Sequence, residues 1–184
     1  MTCIVGIKKG GVVYMGGDSI QIDSKDDVGI TVHPKVFKVG DFLVGSCGGV
    51  RQRQLMQYTF RPALTGDNYV SDMDYMVRAF IPGLQRCFKE GDYDPGENGP
   101  TFLVGFKGHI YIVGPGFHVL EFENDYVALG TGQPYACGSL HTTDANLSEW
   151  TPEDRIRKAL SAAEHHNAGV RGPFTIISSA EDQD

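Results

Sequence analysis

The alternation of hydrophobic and polar residues along the chain predicts two groups of β-strands separated by helices. Short β-rich runs bounded by glycine turns predict a first group of strands at residues 3–8, 12–15, 36–39 and 42–47. A second group is predicted at residues 101–106, 109–113, 118–122 and 126–129, followed by a last strand at 173–179. The polar stretch 19–34 predicts a loop or an irregular strand, and the Gly/Pro/Asp-rich stretch 91–100 predicts a second loop.

Helices are predicted in the two gaps that the strands leave. Residues 50–60 predict one helix, and a second begins at Ser71, where Asp74 completes a capping-box pattern. Apolar residues recur at helical spacing through this second helix, and Pro82 lies inside it. Because proline lacks a backbone donor, a kink or break is expected there. A third helix is expected after Gly132, and a fourth from Thr151 to about residue 167.

This order of elements predicts an α+β fold in which each strand group and each helix pair needs an apolar partner. A four-layer αββα sandwich, with two antiparallel sheets between two helix pairs, satisfies both needs. The length of 184 residues fits one domain spanning residues 1–184, in which the acidic residues 181–184 form a flexible tail.

Composition restricts the classes of function. The net charge of −7 argues against nucleic acid as a partner. No apolar run approaches the ~20 residues of a membrane-spanning helix, and the N-terminus does not have the pattern of a signal peptide, so we predict a cytoplasmic protein without a membrane partner. The four cysteines show no Cys-x-x-Cys spacing, so we predict neither a metal site nor a cofactor.

The residue with the clearest chemical potential is Thr2. Because threonine is small, an aminopeptidase is expected to remove Met1, which would leave a hydroxyl and a free α-amine on one residue. Such a residue contains both a nucleophile and a base, and an α-amine has a pKa near ~7.7–8.0. A Met-Thr start is common, so this feature alone does not establish catalysis. The predicted strand that follows Thr2 would hold it in a fixed position.

Several segments, taken in order, carry a family resemblance. These are residues 2–7 (Thr-Cys-Ile-Val-Gly-Ile), 16–19 (Gly-Gly-Asp-Ser), 34–39 (Pro-Lys-Val-Phe-Lys-Val), 42–49 (Phe-Leu-Val-Gly-Ser-Cys-Gly-Gly) and 128–132 (Ala-Leu-Gly-Thr-Gly). Together they resemble the proteasome β-subunit family of Ntn hydrolases, including its bacterial HslV-type and Anbu-type relatives. The resemblance spans nearly the whole chain.

The resemblance implies a role for each matching residue. Thr2 matches the nucleophile, and Lys35 matches the lysine that lowers the pKa of the nucleophile. Asp18 matches the aspartate that pairs with this lysine. Gly45 matches the glycine whose N–H stabilises the oxyanion and which lets a peptide approach a strand edge closely.

Further positions of the family pattern are only partly matched. Thr131 and Asn167 occupy positions where the family usually has serine and aspartate, and Val170 replaces a serine. Asn167 keeps hydrogen-bonding capacity without charge, whereas Val170 has none. Ile20, Leu43 and Cys47 are the candidate substrate-binding residues, and they predict a preference for apolar or small side chains.

The function that the resemblance implies is that of a threonine-type endopeptidase within a self-compartmentalised ring or spiral of identical subunits. It would act on peptides or unfolded proteins, and an ATPase unfoldase is a further partner that the family suggests. Two alternatives use the same fold: a catalytically silent structural or assembly subunit, and an amidase for small molecules. Intact retention of Met1 would favour the silent subunit, because Thr2 would then have no free amine.

Each motif also has an interpretation without catalysis. Asp18 could serve as a turn aspartate and Lys35 as an exposed charge on a strand edge. Gly45 could allow close packing, and Thr131 could cap a helix. The catalytic interpretation is preferred because these residues occur together in family order.

Overall fold

The computed structural model describes residues 1–22, 27–63, 68–96, 99–144 and 149–180. Its strands are β1 (Cys3–Lys9), β2 (Val12–Gly17), β3 (Ile20–Ile22), β4 (Val28–Ile30), β5 (Val36–Val39), β6 (Phe42–Cys47), β7 (Thr101–Phe106), β8 (His109–Val113), β9 (Val119–Glu121), β10 (Tyr126–Gly130) and β11 (Thr175–Ser178). Its α-helices are α1 (Val50–Gln54), α2 (Asp72–Tyr75), α3 (Ile81–Glu90), α4 (Gln133–Thr142) and α5 (Pro152–His166). The predicted tail, residues 181–184, lies outside the described residues.

The strands form two larger antiparallel sheets and one hairpin. One sheet has the order β10-β1-β2-β11, and the other has the order β5-β6-β7-β8-β9. The mixed helix-and-sheet fold is thus confirmed, and every strand predicted from the sequence has a counterpart. The prediction of a loop or irregular strand over 19–34 was incomplete, because β3 and β4 pair there as a short hairpin. Residues 23–26 of that stretch lie outside the described residues.

Three clusters of buried side chains hold the layers together. Ile4 and Met15 pack with Leu43 and Leu103 in a cluster formed by residues of both sheets. Residues that alternate with these along each strand face the helices instead, as the two-residue period of a strand requires. Cys3 and Val5 thus join residues of α4 and α5 in a second cluster. The third cluster combines the five-stranded sheet with α2, α3 and the helical segments Leu55–Thr59 and Met76–Phe80.

The first two helices include π-helical segments. Leu55–Thr59 continues α1, and Met76–Phe80 joins α2 to α3. Pro82 lies in the first turn of α3, directly after the second π-helical segment. The proline therefore does not terminate the helical path: its missing N–H falls where the chain changes from π-helical to α-helical hydrogen bonding.

The last helix follows its sequence signals closely. The Oγ1 of Thr151 accepts a hydrogen bond of 3.1 Å from the N–H of Asp154, and Pro152 occupies the first turn of α5. The helix ends at His166, so Asn167 is the first residue beyond it. Within the described parts of the chain, every helix is too short or too polar to cross a lipid bilayer.

The register of the four-stranded sheet brings distant parts of the chain to Thr2. Ile4 of β1 pairs with Gly17 at the end of β2, so Asp18 follows immediately beside the start of β1. On the other side, Cys3 pairs with Gly130 at the end of β10. Gly130 has a φ of +91°, and a Cβ there would collide with the carbonyl oxygen of Thr2. Only glycine allows this close approach without strain.

Candidate active site

Thr2, Lys35 and Asp18 form a contiguous polar cluster. The Lys35 Nζ donates a hydrogen bond of 3.1 Å to the Thr2 Oγ1 and one of 3.0 Å to the Asp18 Oδ2. The side chains of Lys35 and Asp18 are 2% and 0% exposed, so this ion pair lies almost entirely out of water. The interpretations of Lys35 as an exposed edge charge and of Asp18 as a simple turn residue therefore do not fit the structure.

Backbone donors complete the environment of Asp18. Its Oδ1 accepts a hydrogen bond of 2.8 Å from the N–H of Cys3, and its Oδ2 accepts one of 3.2 Å from the N–H of Ile20. With the bond from Lys35, the carboxylate has three donors. Such donors favour the ionised carboxylate, which in turn provides the charge that balances Lys35.

The pKa of Lys35 reflects a competition between burial and charge. Burial lowers this pKa below its ordinary value of 10.5, and the positive charge of Arg53 lowers it as well. The negative charge of Asp18 and its hydrogen bond to the ammonium act in the opposite direction. The Nζ donates three hydrogen bonds in total, the third to the carbonyl oxygen of Met1 at 3.3 Å. Three donated bonds are the full capacity of an ammonium group, so the geometry is that of protonated Lys35.

Met1 covers the candidate nucleophile. Because Met1 is joined to Thr2, the nitrogen of Thr2 is an amide, and the Thr2 hydroxyl donates a hydrogen bond to the Met1 carbonyl oxygen. The Met1 side chain lies where a Cβ on Gly169 would be. Removal of Met1 would convert the Thr2 nitrogen into an amine and expose the space beside Gly169.

Thr131 directly follows β10, which pairs with β1 on the side away from β2 and Asp18, and Asn167 contacts Thr131 there. The Thr131 Oγ1 is 3.5 Å from both the nitrogen and the carbonyl oxygen of Thr2. The Asn167 Nδ2 donates a hydrogen bond of 2.7 Å to the carbonyl oxygen of Thr131, and its Oδ1 accepts one of 2.8 Å from the N–H of Gly169. Asn167 thus anchors the Gly-Thr-Gly segment. Val170 is buried in the cluster beneath α5 and provides packing alone.

Gly45 lies in the middle of a sheet rather than at an edge. It pairs with Val36 of β5 on one side and with Leu103 of β7 on the other. A Cβ at this position would collide with the side chain of Ile4 and lie 3.0 Å from the Met15 Sδ, so the glycine lets the two sheets approach each other. The expectation that a peptide would reach Gly45 at a strand edge is wrong, because β5 and β7 occupy both sides.

The three candidate substrate-binding residues have different surroundings. Leu43 is 2% exposed and belongs to the cluster between the sheets. Ile20 is also buried, and its backbone N–H holds Asp18. Cys47 is partly exposed at the end of β6, near Gly130. Burial raises the pKa of the Cys47 thiol to about 12, although the nearby Lys35 charge opposes this, so the thiol is neutral at ordinary pH.

Arg53 is a buried charged residue of this region that the sequence pattern does not reveal. Arg53 interacts electrostatically with both Lys35 and Asp18. The signal in the sequence was the pair Gln52-Arg53, two polar residues that follow the apolar end of β6 within the first turns of a helix. Sequence alone does not show that this face of the helix is turned inward. Among the described residues, no group of three His, Cys, Asp or Glu side chains is arranged to hold a metal ion.

The chain resembles solved structures of other proteins, although its sequence matches no family model. No family model matches the sequence, and no curated protein matches it. Solved structures do match. The BPH protein of Thiobacillus denitrificans, in a structure with epoxomicin, is 20% identical with a TM-score of 0.79, over 96% of this chain and 97% of that one. The HslV protein of Trypanosoma brucei is 18% identical with a TM-score of 0.68, over 96% and 98%.

The chain has the proteasome-like Ntn-hydrolase fold. A third proteasome-like match is Anbu, the ancestral β-subunit of Yersinia bercovieri, which is 16% identical with a TM-score of 0.67 over 96% of this chain and 81% of that one. Identities this low carry the fold alone, so the chemistry of this proteasome-like chain has to be argued from its own residues.

Proposed function

We propose that this protein is an N-terminal-threonine peptidase that becomes competent when Met1 is removed. The observation that carries the proposal is the buried set of contacts from Thr2 Oγ1 to Lys35 Nζ at 3.1 Å and from Lys35 Nζ to Asp18 Oδ2 at 3.0 Å. A hydroxyl next to a buried, paired ammonium is more acidic than a free hydroxyl, because the ammonium stabilises the developing alkoxide.

The reaction would proceed by acyl transfer through Thr2. The Thr2 hydroxyl attacks the carbonyl carbon of the scissile peptide bond, and its proton passes to the α-amine of the same residue. The amine returns this proton to the nitrogen of the leaving peptide, which produces an ester between Thr2 and the acyl part of the substrate. Water, deprotonated by the amine, then hydrolyses the ester and regenerates the hydroxyl.

The other site residues would hold these groups in place. Lys35 stabilises negative charge on the Thr2 oxygen, and Asp18 keeps Lys35 protonated and oriented. Thr131 and Asn167 would orient the backbone of Thr2 and, after Met1 is lost, its amine. The family resemblance suggested the N–H of Gly45 as the oxyanion donor, but its position between β5 and β7 argues against this role. We also infer that the whole fold is the four-layer αββα sandwich, which the three core clusters support.

The proposed substrate is a peptide or an unfolded protein, and the proposed partners are identical subunits. The support comes from relatives: one match is described as the helical assembly of the Anbu complex from Pseudomonas aeruginosa. An ATPase unfoldase would be a further partner by analogy with the family. We place this activity in the cytoplasm, as the sequence suggested.

A catalytically silent assembly subunit is the second candidate. Two observations favour it: Asn167 brings no charge to the site, and the Val170 side chain, which replaces the serine of the family pattern, is fully committed to packing. In that case, the Lys35–Asp18 pair would be structural. The two candidates differ in whether Thr2 reacts.

The direct test is hydrolysis of fluorogenic peptides by the protein after its N-terminus has been confirmed as Thr2. We expect turnover by the wild-type protein, reduced turnover by Thr2→Ser, which keeps both hydroxyl and amine, and none by Thr2→Ala, which keeps only the amine. Lys35→Met should lower the rate by about 10²- to 10³-fold, in the range found for a lost charge-stabilising group. Turnover that survives in Thr2→Ala would rule out Thr2 as the nucleophile.

A further inference from the structure

Arg53 is a buried arginine beside the candidate active site. It lies in α1, which follows β6 after Gly48 and Gly49. The end of β6 borders the site, because the Ser46 N–H donates a hydrogen bond of 2.9 Å to the Lys35 carbonyl oxygen and the Cys47 Sγ lies beside Gly130. Its relative exposure is only 6%, whereas Arg51 and Gln54 of the same helix are exposed. The helix thus buries most of the Arg53 side chain against the protein.

Within the described residues, Arg53 has no hydrogen-bond or ion-pair partner. Other cationic side chains do have partners: Arg51 donates to the carbonyl oxygen of Gly91, Lys35 pairs with Asp18, and the buried Arg155 donates to the carbonyl oxygen of Leu140. The Arg155 Nε is the only side-chain donor of the described residues that is both fully buried and unpartnered, so the Arg53 nitrogens keep some contact with solvent. A guanidinium that is largely buried, has no protein acceptor and still reaches solvent is available to bind an anion.

The charges around Arg53 leave one positive charge unbalanced. Arg53 and Lys35 are both within electrostatic range of Asp18, which already accepts hydrogen bonds from Lys35 and from two backbone N–H groups. Two cations therefore share one carboxylate whose acceptor positions are largely occupied. Burial lowers the pKa of Arg53, and the negative charge of Asp18 opposes this effect. Arginine nevertheless stays protonated at any physiological pH.

We propose that Arg53 is a specificity-determining residue that binds the carboxylate of an aspartate or glutamate side chain beside the cleaved bond. The inference rests on the proposed peptidase function and deepens it by naming the substrate class. It replaces the preference for apolar or small side chains that the sequence suggested. The planar guanidinium can donate two parallel hydrogen bonds to a carboxylate, and the negative charge of the substrate then balances the surplus positive charge of the site.

The first arm of the test compares two fluorogenic peptides that differ only in glutamate or glutamine before the coumarylamide leaving group. A charge-assisted pair predicts that kcat/KM is about 10- to 100-fold higher for glutamate than for glutamine. Arg53→Gln should bring this ratio close to one. Arg51→Gln is the matched control, because it removes the same charge from an exposed position of the same helix, and its ratio should equal that of the wild-type protein.

Two results of this arm would overturn the proposal. The first is equal kcat/KM for the two peptides with the wild-type protein. The second is an Arg53→Gln variant that slows both peptides by the same factor, which would make Arg53 a positioning residue that acts through Lys35. Arg53→Lys keeps the charge but loses the planar fork, so it should retain only part of the ratio. It also supplies a second variant should Arg53→Gln not fold.

The second arm does not depend on turnover. In a Thr2→Ala background, binding of the same two sequences as amidated, fluorescently labelled peptides is measured by anisotropy. We expect tighter binding of the glutamate peptide, by about tenfold or more, and loss of this difference when Arg53→Gln is added. If the glutamate peptide binds more tightly but the wild-type protein turns over neither peptide, the peptidase function is refuted. The proposal that Arg53 binds a carboxylate would still stand. Equal binding of both peptides would refute the site itself.

Discussion

The two sides of Thr2 are built from different chemistry. On one side, Lys35 and Asp18 form a charged pair with contacts of 3.0–3.1 Å and almost no exposure. On the other side, the uncharged Thr131 has its hydroxyl 3.5 Å from the Thr2 nitrogen. Asn167 fixes Thr131 by donating a hydrogen bond to its carbonyl oxygen. The charged side acts on the Thr2 hydroxyl, whereas the neutral side acts on its backbone nitrogen. We infer that nucleophile activation depends on the charged side and alignment on the neutral one.

Asp18→Asn should have the largest effect on stability, because it leaves the buried Lys35 charge without a balancing carboxylate. Breaking a buried ion pair in this way costs about 3–5 kcal/mol of unfolding free energy. Urea unfolding of Asp18→Asn beside the wild-type protein provides the measurement. A matched change on the surface is Asp72→Asn, which removes the exposed pair with Lys107 and should cost less than about 1 kcal/mol. Equal losses in the two variants would show that burial does not distinguish the Lys35–Asp18 pair.

Gly130→Ala tests the close approach on the neutral side. The positive φ of Gly130 and the collision of a Cβ with the Thr2 carbonyl oxygen predict a loss of about 1–3 kcal/mol in unfolding free energy. Gly10→Ala is the control for φ alone, since that glycine has a φ of +60° and open space around its Cβ position. If both variants lose the same stability, the contact with Thr2 contributes nothing beyond backbone strain.

Asn167→Ala tests how firmly the neutral side is held. It removes the bonds to the Thr131 carbonyl oxygen and from the Gly169 N–H, for which we expect a loss of about 1–2 kcal/mol by chemical denaturation. Asn167→Asp keeps the acceptor for Gly169 but replaces the donor with a carboxylate that repels the Thr131 carbonyl oxygen. It should therefore be no more stable than Asn167→Ala at neutral pH. A fully stable Asn167→Asp variant would contradict the amide orientation described above.

The pH dependence of peptide hydrolysis should show the smallest of these effects. Activity should fall at high pH as Lys35 loses its proton, and this fall should occur below pH 10.5 because folding lowers the pKa of Lys35. Since the positive charge of Arg53 contributes to that lowering, Arg53→Gln should move the fall to higher pH on an uncharged peptide. A fall that moves to lower pH, or that is centred above pH 10.5 in the wild-type protein, would contradict the assignment.

The sequence predicted the parts of the fold that are governed by local patterns. Strand alternation, glycine turns and the Thr151 cap are read within a few residues, and each of these elements has its counterpart. The β3–β4 hairpin was missed because its exposed strand, β4, has no alternation between buried and exposed positions. The uninterrupted path through Pro82 was missed because the preceding π-helical turn is not encoded by any single residue.

The site shows a similar division between local and distant information. The sequence order, through the family resemblance, suggested Thr2, Asp18 and Lys35, and the structure brings their side chains together. The surroundings of Gly45 and Leu43 depend on which strands flank β6 and on the facing sheet, neither of which is a local property. Arg53 was missed for the same reason: its burial results from how α1 packs, not from its neighbours in sequence.

Whether Thr2 is the nucleophile is tested by the intact mass of the purified protein before and after incubation with epoxomicin, a peptide epoxyketone that reacts with the hydroxyl and free amine of an N-terminal threonine. We expect a chain that lacks the mass of Met1 and gains one inhibitor per chain, with no gain in Thr2→Ala. A chain that keeps Met1, or one that begins with Thr2 and gains nothing, would contradict it.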